Sequence, residues 1–168
     1  MKYKKVLLLF PDYSGGHFGA LRPPAGIGYL AQMLQEEGIE YDVLDMAVGC
    51  DLHDLKIKLS SFNPDLVAIS LMSFMYKRSY HIVNWVKKES SGVTVVAGGP
   101  HISTLREKAL EECKGLDYGI VQEGEYALLD LCKGLEVESI PGLLYRKNGK
   151  INYVGPRSFE KNLDKFPF

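Results

Sequence analysis

A chain of 168 residues with 20 basic and 21 acidic side chains and a net charge of −1 fits one domain and has no electrostatic pull toward nucleic acid or an anionic membrane. Its 46% hydrophobic and 24% charged content is that of a globular protein that buries a core without staples. Three widely spaced cysteines, Cys50, Cys113 and Cys132, form no CxxC pair; they argue against a disulfide framework or a thiolate metal site and for a reducing, cytoplasmic setting.

The opening MKYKKVLLLF has a basic start and an apolar run, but Pro11 and Asp12 end it too early for a signal peptide, and no segment is long enough to span a bilayer. Val6 to Phe10 is a continuous apolar run, the mark of a central parallel strand. The loop from Pro11 to Pro24 is far longer than a strand–helix connection needs, which marks it as functional. Pro24 suits a first helical position. Ala25 to Glu37 then repeats Ile27, Leu30, Ala31 and Leu34 at helical spacing, and Gly38 stops it. Tyr41 to Leu44 is a second strand ending at Asp45. Asp51 to Phe62 is a second helix, broken by Asn63-Pro64.

Leu66 to Leu71 is a third buried strand, and Met72, Ser73 and Phe74 form its exit loop. Tyr76 to Lys88 is a third helix with Ile82, Val83 and Val86 on one face. Val93 to Ala97 is a fourth strand, stopped by Gly98, Gly99 and Pro100, with a helix expected over Thr104 to Cys113. Asp117 to Val121 is a fifth strand, followed by Gln122-Glu123-Gly124-Glu125 and a helix to about Cys132. Five strand–helix repeats predict an α/β Rossmann-like or flavodoxin-like fold: a five-stranded parallel sheet in the order 2-1-3-4-5 with helices on both faces. Beyond Ile140, Leu143 to Arg146 and Ile151 to Val154 flank Asn148-Gly149 and predict a β-hairpin. The aperiodic tail from Gly155 to Phe168 reads as a linker to something that follows. The expected organisation is a domain over 1–139, a hairpin over 140–154 and a linker over 155–168.

Ligands of such sheets bind beyond the carboxyl ends of the strands. The loops that converge there are rich in glycine, serine and proline: Pro11–Pro24, Met72–Phe74, Gly98–Ser103 and Gln122–Glu125. That composition suits a flat or bulky ligand contacted through the backbone. His101 fits a ligand contact, a base or a helix cap; His17 fits a metal ligand or a solvated loop residue. Glu123 and Glu125 fit either ligand contacts or partners of a helix dipole. Asp45 stands where a Rossmann enzyme holds a ribose, but no GxGxxG accompanies it. GxxxxGK[ST] and GxSxG are absent too. Asp45 and Ser14-Gly15-Gly16 leave a free-standing flavin- or nucleotide-binding oxidoreductase as the alternative, and a cofactor-free docking or substrate-recognition module as a third reading.

The ordered set RPPAGIGYLAQML, VLD, NPDLVAISLMS, VVAGGPHIST, DYGIVQEGE and IPGLLYRKNGK…NLDKFPF resembles the N-terminal cobalamin (B12)-binding domain of B12-dependent radical SAM enzymes, over nearly the whole chain. The resemblance implies a Rossmann-like cobalamin module, with the corrin over the carboxyl ends of the strands and its nucleotide tail threaded into the domain. The contacting residues it implies are Tyr13, Ser14, Gly15, Gly16, His17 and Gly19 in the first loop; Leu71, Met72, Ser73 and Phe74 after the third strand; Gly98, Gly99, Pro100 and His101 after the fourth, with His101 at the rim; and Glu123 and Gly124 after the fifth. The DxHxxG of other cobalamin modules is not matched, since Asp12 and His17 are five apart, so the resemblance implies binding without that lower histidine. The CxxxCxxC of the family is also absent. S-adenosylmethionine and a 4Fe-4S cluster are therefore expected in a C-terminal radical SAM domain beyond these residues, and methyl transfer, rearrangement or cyclisation in the full-length protein.

Overall fold

A computed structural model describes residues 1–11 and 24–162. Tyr13, Ser14, Gly15, Gly16, His17 and Gly19 lie outside the described residues. The elements run β1 (Lys5–Phe10), α1 (Ala25–Glu36), β2 (Glu40–Asp45), α2 (Leu52–Phe62), β3 (Leu66–Ser70), α3 (Tyr76–Glu89), β4 (Thr94–Gly98), α4 (Pro100–Leu105), α5 (Glu107–Glu112), β5 (Tyr118–Ile120), α6 (Glu125–Lys133), β6 (Leu143–Lys147) and β7 (Lys150–Tyr153). One sheet joins all the strands in the order β2-β1-β3-β4-β5-β6-β7. The first five are parallel in the expected order.

The sheet has seven strands rather than five, because the hairpin is not an appendage: β6 pairs antiparallel with β5, Tyr118 opposite Tyr145 and Ile120 opposite Leu143. The reason is burial. Leu143, Leu144 and Tyr145 are all buried, which a two-stranded ribbon alone cannot achieve, and pairing covers the edge that β5 would expose. The hairpin turn uses positive φ at both Asn148 (52°) and Gly149 (75°), the twist that suits a two-residue connection. Arg146 clamps the hairpin to the end of α5, donating to the carbonyls of Leu110, Leu116 and Cys113.

Strand alternation assigns the two faces. Leu7, Leu9, Val67, Ile69, Val95 and Ala97 pack with α2, α3, α4 and α5. Val6, Leu8, Phe10, Leu66, Ala68, Val96 and Ile120 pack with α1 and α6. Helix ends follow local chemistry: α2 opens on a capping box between Asp51 and Asp54, and α6 ends on Gly134 in the left-handed region. The expected helix from Thr104 to Cys113 differs. It begins at Pro100, with proline at the first helical position, and breaks at Arg106, whose φ is 51° and ψ −122°. Neither glycine nor proline marks that break. The Arg106 guanidinium lies over the Tyr153 ring at 5.2 Å, so the kink ties α4 and α5 to β7. Among the described residues, no helix is long and apolar enough to cross a membrane.

Candidate functional site

Side chains on the α1/α6 face shrink toward the carboxyl edge of the sheet. On β3 they run Leu66, Ala68, Ser70, and on β4 they run Val96, Gly98; Ser70 and Gly98 are paired in register. Helices α1 and α6 bridge this step without filling it. The result is a cavity of about 580 Å³, within the range of sites that take small molecules or part of a larger one. Its floor is Ala68, Val96 and Ile120. Pro24, Ala25, Gly26, Ile27 and Leu30 at the start of α1 form one wall and Gln122 to Glu125 with Leu128 the other, and Phe10 and Phe159 also line it.

Two observations show that the cavity suits a ligand. A Cβ built on Gly98 meets no described residue within 4 Å, so among the described residues the strand edge is open where a side chain would normally fill it. Glu125, in the first turn of α6, buries its Oε2 with no hydrogen-bond partner among the described residues. A buried acceptor left unpaired is costly, which makes this wall a place where an N–H or O–H donor would be stabilised.

The expected contacts divide. Gly98, Gly99, Glu123 and Gly124 line the cavity. Glu123 is also used internally: its Oε2 accepts the Glu160 N–H at 3.3 Å. Leu71, Met72, Ser73, Phe74, Pro100 and His101 stand at the same edge of the sheet but outside the cavity. Phe74 is 69% exposed at the tip of a short turn over Ser73–Met75. Leu71 is fully buried, its N–H donating to Gly98 O at 2.8 Å. Asp45 does not reach the site: its Oδ1 accepts the Ala47 N–H at 2.9 Å and caps the turn after β2. The sequence named Glu125 as a ligand contact or a helix-dipole partner, and it lines the cavity; Ala68, Ser70, Val96 and Phe159 line it without having been expected there, and the shrinking every-second-residue series on β3 and β4 is the pattern that could have found the first three.

His101 is not at the rim. It is only 3% exposed, because the helix begins at Pro100 and its first turn rotates the imidazole under the edge. Its Nε2 shares a hydrogen bond with the Tyr80 hydroxyl at 2.8 Å and its Nδ1 lies 3.4 Å from Ser73 Oγ. The ring stacks on Tyr76 at 5.0 Å. Burial pushes the His101 pKa below its ordinary value, with the Glu112 carboxylate opposing. Burial and the same carboxylate push the Tyr80 phenol up. The unfolded chain thus binds a proton that folded His101 resists, so stability falls as the pH drops through and below the ordinary histidine value of 6.5. Urea midpoints at pH 7.5 and 5.5 should differ more for the wild type than for His101→Gln.

Burial raises the Cys113 thiol to about 11 and the Cys132 thiol to about 12, which keeps both protonated at neutral pH. Among the described residues, no group of three or more His, Cys, Asp or Glu side chains is placed to hold a metal.

The chain is 32% identical, over 99% of its length, to an uncharacterized methyltransferase of Pyrococcus horikoshii, of which it spans 38%. The chain therefore covers well under two thirds of that relative. Its fold matches the solved structure of the radical S-adenosylmethionine methyltransferase TsrM from Kitasatospora setae, with a TM-score of 0.76 and 23% identity, covering 92% of this chain and 30% of that one. It also matches the cobalamin-dependent S-adenosylmethionine radical enzyme OxsB, with a TM-score of 0.81 and 22% identity, covering 93% and 22%. The family model for the B12 binding domain matches residues 15–132, a span that contains the strand edge and nearly all of the cavity, and the chain belongs to the B12-binding-domain family.

Proposed function

We propose that this chain is the cobalamin-binding module of a larger B12-dependent radical SAM enzyme. The corrin lies across the carboxyl edge of β1, β3, β4 and β5, and the nucleotide tail enters the cavity between α1 and α6. The observation that carries the reading is the open cavity beside Gly98 with the orphaned Glu125 acceptor in its wall. The cavity is too small for a whole corrinoid and suits one heteroaromatic arm of it. Gly98 admits that arm to the strand edge, Ala68, Val96 and Ile120 pack against its base, and Glu125 accepts a hydrogen bond from a ribose hydroxyl of the arm. Phe74 and the Ser73–Met75 turn stand beside the corrin. When bound, cobalamin supplies a cobalt centre able to carry an alkyl group.

The relatives' printed activities favour methyl transfer for the full-length protein over rearrangement or cyclisation. In that reading a radical SAM domain with S-adenosylmethionine and a 4Fe-4S cluster is the intramolecular partner. A cytoplasmic setting belongs to the same reading, as do the absence of nucleic-acid and membrane partners. The flavin or nucleotide alternative is weakened because Asp45 is engaged by its own turn.

The tail assignment is tested with a corrinoid that lacks the nucleotide. Equilibrium dialysis should give clear retention of hydroxocobalamin and at least tenfold weaker retention of cobinamide; equal retention contradicts a tail in the cavity. Glu125→Ala should weaken hydroxocobalamin binding about tenfold, the worth of roughly one buried hydrogen bond. Glu125→Gln, which keeps an acceptor, should lose less. Neither substitution should lower the thermal midpoint of the ligand-free chain, because Oε2 has no partner to lose among the described residues.

A further inference from the structure

The chain does not leave the domain after β7. The carbonyl of Gly155 accepts the Gly142 N–H at 2.7 Å. Arg157 then pairs with Asp130 on α6 and donates from Nε to the Pro141 carbonyl at 3.3 Å. Three residues on, the Glu160 N–H donates to Glu123 Oε2 at 3.3 Å. Both attachments are to elements that build the cavity wall: α6 itself and the turn that leads into it. Between them stands Phe159, which lines the cavity and is nevertheless 60% exposed. A large apolar ring held open to water at a cavity mouth, with the backbone fixed on either side of it, gains most when a second apolar surface covers it.

We propose that Phe159 is a ligand-contacting residue, carried on a strap of residues 155–162 that holds its ring against the heteroaromatic tail of the bound corrinoid. This rests on the cobalamin reading above. Residues 15–132, matched by the family model, do not include the strap, so the contact is assigned here from position alone. The ring supplies an edge or face to a flat base. The Arg157–Asp130 pair and the Glu160–Glu123 hydrogen bond keep it in place.

The test measures hydroxocobalamin affinity by dialysis and its release rate by stopped-flow for the whole 168-residue chain. The variants are Phe159→Ala, Arg157→Ala and Ile57→Ala. Ile57 is an exposed residue of α2, 54% accessible and away from the site. The expected result is about tenfold weaker binding for Phe159→Ala, expressed mainly as faster release. Arg157→Ala should give a smaller change in the same direction and Ile57→Ala none. Thermal midpoints verify that each variant is folded, and the exposure of Phe159 makes its truncation safe for the fold. If the wild type binds and Phe159→Ala matches it in affinity and release, the strap contact is wrong while the cobalamin reading stands. If the wild type fails to bind, both are overturned.

Discussion

Replacing Gly98 with valine abolishes hydroxocobalamin binding and leaves the fold standing. Gly98 is the last residue of β4, paired in register with Ser70, and it points to the same face as Val96. A Cβ there meets no described residue within 4 Å, and its φ lies outside the left-handed region. Valine is at home in a strand. The added isopropyl group therefore projects into the cavity without disturbing its own neighbours. The ligand-free chain should change by no more than about 1 kcal/mol in urea denaturation, with a gain as acceptable as a loss. Binding should fall at least a hundredfold, since a close-packed ligand cannot share space with three new carbons. Dialysis and urea melts on the same preparation check both halves.

The neighbouring glycine should behave in the opposite way. Gly99→Ala lowers stability severely. Gly99 has a φ of +96°, and a Cβ there falls 2.8 Å from the Leu71 carbonyl oxygen and 3.1 Å from the Leu71 nitrogen. Those atoms cannot retreat cheaply: Leu71 N–H donates to Gly98 O at 2.8 Å and Leu71 O accepts the His101 N–H at 3.1 Å. Backbone strain of about 1–2 kcal/mol and a clash of roughly 1–3 kcal/mol together predict a loss of about 2–5 kcal/mol. A urea midpoint that falls by less than a small core truncation would contradict this geometry. Two adjacent glycines thus divide the work: Gly98 leaves the cavity open, and Gly99 lets the chain turn from β4 into α4 against the end of β3.

The order of the parallel strands was legible because each is a short apolar run followed by a helical repeat, and burial on both faces leaves little choice of register. Leu143, Leu144 and Tyr145 announced a strand but not its partner; only the exposed edge of β5 decides that. Which glycine leaves open space in the cavity and which turns the chain was harder to read. Gly98 and Gly99 look alike in sequence, and one residue of strand parity separates them. His101 was misplaced for a similar reason. Pro100 starts the helix four residues before the expected Thr104, and the first turn rotates the imidazole toward Tyr76 and Tyr80. Glu123 and Glu125 also exchanged emphasis. The first is partly satisfied by the strap, and the second carries the unpaired oxygen. The strap was invisible because its contacts with Asp130, Pro141 and Glu123 are long-range and follow no local period. The break at Arg106 has no local marker either; it carries the guanidinium over the Tyr153 ring, a long-range contact.

The most direct measurement mixes the purified chain with excess hydroxocobalamin and follows corrin absorbance through gel filtration, with FMN and NAD carried in parallel. A cobalamin reading predicts corrin eluting with the protein at one equivalent per chain, and neither FMN nor NAD retained. Protein that emerges colourless, or that retains FMN or NAD instead, would contradict it.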